Sequence, residues 1–129
     1  MATLRTECPP GSCVCQRDEL LAQPEADLRV LLLTRHEEQR LVERLERVTS
    51  LADLRHILHL IQQQLGVVVT IEPGPNEVRT LRGVLIRVDP IPGLCRKTRK
   101  AIPAAIRRAL DARHEIIFEL LNENSLFGL

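Results

Sequence analysis

The sequence predicts an α+β fold: a two-layer β-α-α-β-β-α sandwich of about three strands, behind a Cys-, Pro- and Gly-rich N-terminal arm. Three features carry that expectation. Stretches with strand character lie at 28–33, 66–72 and 78–89. Stretches with a helical apolar period lie at 35–48, 51–65 and 98–122. Pro- and Gly-rich breaks separate them.

Residues 1–16 form the arm, Glu7-Cys8-Pro9-Pro10-Gly11-Ser12-Cys13-Val14-Cys15-Gln16 at its centre, where two prolines and a glycine forbid a helix. Residues 17–129 read as one α+β domain, since domains of about 100–150 residues are the commonest size. A helical turn at 18–23 ends at Pro24. The apolar run Val30-Leu31-Leu32-Leu33 predicts a strand over 28–33, buried on both faces. Thr34-Arg35-His36-Glu37 has the form of a capping box and opens a helix with Leu41, Val42, Leu45 and Val48 on one stripe. Ser50 caps a second helix, with Leu51, Leu54, Leu58, Ile61 and Leu65 on one face. Gly66 supplies its left-handed C-terminal position.

Residues 67–88 predict a β-hairpin with a tight turn at Pro73-Gly74-Pro75-Asn76. Its second strand alternates, with Val84, Ile86 and Val88 on one side and Leu85, Arg87 and Asp89 on the other. After Pro90-Ile91-Pro92-Gly93, one long helix is expected from Thr98 or Ile102 to about Asn122, with Pro103 in or near its first turn. Arg113 falls in the middle of that helix's apolar stripe. This predicts a snorkelling side chain, a buried ion pair or a break in the helix.

Composition narrows the function. There are 18 basic and 17 acidic residues, so overall charge points to neither nucleic acid nor membrane. With two Phe, no Trp and no Tyr, the chain lacks the rings on which single strands stack. The N-terminus has no secretory signal and the longest apolar run is too short to span a bilayer, so a cytoplasmic location is expected. Thiols stay reduced there, which favours metal ligands over disulfides.

Cys8, Cys13 and Cys15 follow a C-x4-C-x-C pattern, and Cys95 stands 80 positions further on. Four thiolates close a tetrahedral zinc site or ligate an iron–sulfur cluster, and Pro and Gly beside ligands let the backbone curl around an ion. Both segments have such neighbours: Cys8-Pro9-Pro10-Gly11 and Pro92-Gly93-Leu94-Cys95. A site of Cys8, Cys13, Cys15 and Cys95 would also pin the arm to the domain.

The second signal is charge. Seven basic residues stand against one acidic residue between 95 and 113. Arg96, Lys97, Arg99, Lys100, Arg107 and Arg108 are candidate anion or nucleic-acid contacts, or counter-charges for a thiolate–metal centre. His56 and His59, three apart on a predicted helix, read as a solvated surface pair rather than a metal site. No G-x-S-x-G, H-E-x-x-H or Walker-type loop occurs, so nothing points to an enzyme.

The leading expectation is a small cytoplasmic accessory protein holding an iron–sulfur cluster or zinc on the four cysteines. The first alternative is a nucleic-acid or ribosome-associated module that uses the basic segment on the backbone of structured RNA or DNA. The second is a protein-interaction domain without metal. The expected partner is another protein, or structured RNA or DNA, and not a membrane.

Overall fold

The computed structural model describes residues 17–73 and 84–123. Five α-helices surround a two-stranded antiparallel sheet: α1 Arg17–Ala22, α2 Arg35–Glu46, α3 Leu51–Leu65, β1 Val69–Pro73, β2 Val84–Val88, α4 Arg96–Ala112 and α5 His114–Glu123. The fold is a small, mostly helical α+β arrangement. No described helix is long and apolar enough to cross a membrane.

The expected strand over 28–33 is a 3-10 helix, Arg29–Leu32. Asp27 starts it: its carboxylate accepts the Arg29 N–H at 3.0 Å and grips the same residue's guanidinium at 2.7 Å. The N–H groups of Leu31 and Leu33 then reach back to the carbonyls of Leu28 and Val30. Val30, Leu31 and Leu33 are all buried. A continuous apolar run satisfies a tightly wound buried turn as well as a buried strand. Among the described residues the sheet therefore has two strands rather than three.

Both hydroxyl caps form, while the reciprocal half of the capping box does not: the Thr34 N–H donates to the Leu32 carbonyl. The Thr34 hydroxyl accepts the Glu37 N–H at 3.3 Å, and the Glu37 carboxylate lies 3.5 Å from Arg40. The Ser50 hydroxyl accepts the Asp53 N–H at 3.0 Å. Gly66 ends α3 at φ 73°. The buried stripe of α3 is Leu51, Leu54, Ile57 and Ile61, with Leu58 half-buried, so the apolar face lies slightly round from its expected place.

β1 and β2 pair in register from Val69 opposite Val88 to Pro73 opposite Val84. Residues 74–83, with the expected turn and the start of the second strand, lie outside the described residues. Val84 is buried and Ile86 and Val88 half-buried, while Leu85 and Arg87 are exposed. α4 packs on α2, β2 and α5, and α5 packs on α3 and β1. The buried side chains form one continuous cluster.

The expected single C-terminal helix is two. Arg113 stands between them at φ −137°, ψ 79°, exposed and 3.8 Å from Glu115. A straight helix would drive its guanidinium into the core. Breaking the helix there releases it to solvent and lets Ile116, Ile117 and Leu120 turn back into the core. Pro103 is not in the first turn: α4 starts at Arg96, so Pro103 lies in the helix interior. It withholds an N–H from the Arg99 carbonyl, four residues back.

Side chains distant in sequence clasp the helices. Glu119 of α5 accepts the Leu51 N–H at 3.0 Å, capping the start of α3. Arg44 pairs with Asp53 at 2.6 Å and Arg108 with Glu46 at 2.7 Å, and Arg55 pairs with Glu123. Arg29 donates to the Gln63 carbonyl at 2.8 Å, at the other end of α3. The side-chain hydrogen bonds of these guanidiniums hold the carboxyls of Asp27, Asp53 and Glu123 below the usual carboxylate range.

Candidate functional site

Cys95 precedes α4, and Arg96, Lys97, Arg99 and Lys100 lie at its N-terminal end, with Arg107 and Arg108 in its second half. The turn Pro92-Gly93 is closed by the Leu94 N–H on the Ile91 carbonyl at 3.2 Å, and delivers the chain to Cys95, the residue that precedes α4. Gly93 makes this turn possible. Its φ is +89°, a backbone region that side-chain-bearing residues rarely adopt. A Cβ there would lie 2.8 Å from both Leu20 Cδ2 and Val30 Cγ1. The turn is thus pressed against α1 and the 3-10 helix.

Cys95 is 8% exposed and its carbonyl accepts the Arg99 N–H at 3.0 Å, the first hydrogen bond of α4. Thr98, three residues on, is also buried. The N-terminal end of a helix favours negative charge, so an anionic thiolate suits this position. No acidic residue lies in the first turn of α4, whereas Arg96, Lys97, Arg99 and Lys100 crowd it.

Cys8, Cys13 and Cys15 lie outside the described residues. Among the described residues no three His, Cys, Asp or Glu side chains gather as a metal site. Cys15 precedes Arg17, the first residue of α1, by two positions in sequence. Arg17 is one helical turn from Leu20, which touches the Cys95 turn.

The candidate cations divide. Arg96, Lys97, Lys100 and Arg107 are exposed and Arg99 is half-buried, and among the described residues none of the five makes an ion pair. Arg108, expected to join them, is held by Glu46 and serves the α2–α4 contact. His56 and His59 are both exposed on α3.

An open groove of about 760 Å³ runs between α2 and α3, floored by Leu41, Ile57, Leu60 and Ile61. Its rim cations Arg40 and Arg44 already face Glu37 and Asp53. Sequence reasoning missed Glu119, whose partner lies 68 residues away, because no local pattern marks such a contact. Comparison with family models, curated proteins and solved structures finds no match.

Proposed function

We propose that the chain is a small metal-binding accessory protein, in which Cys95 and the arm cysteines Cys8, Cys13 and Cys15 hold an iron–sulfur cluster or a zinc ion. The observation that supports this reading most is the packing of the Gly93 turn on Leu20. It sets Gly93, two residues before Cys95, against α1, the element that follows the cysteine arm in sequence. A four-thiolate centre is anionic, and Arg96, Lys97, Arg99 and Lys100 offset that charge. Its work would be electron transfer, cluster handling or support of a partner complex.

The test is to purify the full chain without oxygen, record its absorbance spectrum and measure its metal content. With no Trp or Tyr, the polypeptide is nearly transparent in the near ultraviolet. Visible charge-transfer bands with stoichiometric iron and sulfide establish a cluster. A colourless sample with one zinc per chain establishes a structural ion. Cys95→Ser and Cys13→Ser should each lose the metal. Wild-type chain prepared this way without metal, or full retention of metal by Cys95→Ser, refutes the reading.

A further inference from the structure

The cations of α4 form a face as well as a cluster. At about 100° per residue, Arg96, Lys97, Lys100 and Arg107 fall within one arc of about 100°, opposite the buried stripe of Ile102, Ala105, Ile106 and Ala109. From Arg96 to Arg107 the arc runs about 16 Å along the helix. Arg99 flanks it, and Asp111 stands beyond its far end. Among the described residues these cations meet no carboxylate. On α2 and α3, Arg40, Arg44 and Arg55 face Glu37, Asp53 and Glu123, while the exposed Arg35 and Arg47 stand singly at the two ends of α2. Among the described residues α4 is where several such cations share one face.

The geometry points to a docking surface for the sugar–phosphate backbone of double-stranded nucleic acid along this face of α4. The surface shares Arg96, Lys97 and Lys100 with the metal reading, and the duplex titration tests it separately from metal content. Charge complementarity selects a polyanion. Protein interfaces centre on buried aromatic or aliphatic anchors. Leu21, Leu85 and Phe118 are the large exposed apolar residues among those described, and none lies on α4. The same shortage of rings removes the stacking platform a single strand needs. What remains is a face of cations about 16 Å long that suits a row of phosphates. Such contacts position a protein on a duplex without reading its bases.

The probe is a fluorescently labelled 20-base-pair duplex, made as RNA and as DNA, with the full chain titrated in by anisotropy. Four phosphate contacts predict a log–log salt slope near −3.6, about a 150-fold loss of affinity between 50 and 200 mM salt. Each single substitution among Arg96→Gln, Lys97→Gln, Lys100→Gln and Arg107→Gln should flatten the slope by about 0.9, and the quadruple variant should abolish binding. Arg35→Gln/Arg47→Gln removes two exposed cations of the α2 region and should change the affinity less than twofold. A circular-dichroism melt confirms that each variant is folded. Binding to either duplex with this pattern supports the surface. No duplex binding at 50 mM salt overturns it. So does tighter binding to the single strand, binding to anionic vesicles without binding to duplex, or equal loss in the α2 control.

Discussion

Replacing Gly93 by Ala is the sharpest perturbation of the turn that presents Cys95. Two costs add. At φ +89° a residue with a Cβ is strained, by about 1–2 kcal/mol. The new methyl would also sit 2.8 Å from Leu20 Cδ2 and from Val30 Cγ1, both on buried residues. Pushing a methyl into a filled core costs about 1–3 kcal/mol. The expected loss is therefore about 2–5 kcal/mol, read as a lower urea midpoint with an unchanged m-value. Gly66→Ala is the internal comparison. Its φ is +73°, but its Cβ would meet Asp27 Oδ2 and Arg29 Nη2, the ends of exposed and movable side chains. It should cost only the backbone strain, about 1–2 kcal/mol. In a Leu20→Ala background one of the two core clashes is gone, so Gly93→Ala should cost less there than in the wild-type chain. A Gly93→Ala loss no larger than that of Gly66→Ala, and no relief in the Leu20→Ala background, would refute the idea that the turn is wedged against α1.

Two further outcomes follow from the clasps. Glu119→Ala removes the carboxylate that accepts the Leu51 N–H, and should cost about 0.5–2 kcal/mol by urea denaturation, as loss of a helix N-cap does; a neutral result would show that Ser50 alone suffices. Asp27, Asp53 and Glu123 have carboxyls lowered by Arg29, Arg44 and Arg55, so their contribution to stability is present above the ordinary carboxylate range and is lost below it, as pH falls through the lowered folded-state values. Asp53→Asn should therefore flatten the acid side of a stability–pH profile; an unchanged acid limb would count against that clasp.

Local chemistry was legible where one element contains both partners. Thr34, Ser50 and Gly66 each act within a few residues of themselves, and each does what its type and position predict. The run 28–33 misled because periodicity cannot separate a buried strand from a buried helical turn. The deciding contacts are Asp27 with Arg29, and Arg29 with the Gln63 carbonyl of another element. Arg113 was visible as an anomaly, an ionised group on an apolar stripe, and the break in the helix resolves it. In the candidate site, the cluster of cations could be read from the sequence, though a helix start at Thr98 or Ile102 leaves Arg96 and Lys97 off the helix. The removal of Arg108 from the cluster could not, since Glu46 lies on a helix 62 residues away in sequence. Three of the four cysteines fall outside the described residues, while Cys95 stands immediately before α4, which begins at Arg96 rather than at the expected Thr98 or Ile102.

The clasp of Glu119 on Leu51 has a consequence for the order in which the molecule is made. Synthesis proceeds from the N-terminus, and domains fold as units while they emerge. α2 and α3 carry their own hydroxyl caps, but helices of 12 and 15 residues are marginal until they pack. The first N–H of α3 waits for a carboxylate translated 68 residues later. At about 5–20 residues per second that is a delay of several seconds. Ile116, Ile117 and Leu120 arrive with the same helix and seal the same side of the core. A nascent chain that ends before α5 holds its central helix with an unsealed flank. Among the described elements the flank of α3 thus waits for α5, and until then the side that α5 covers is exposed.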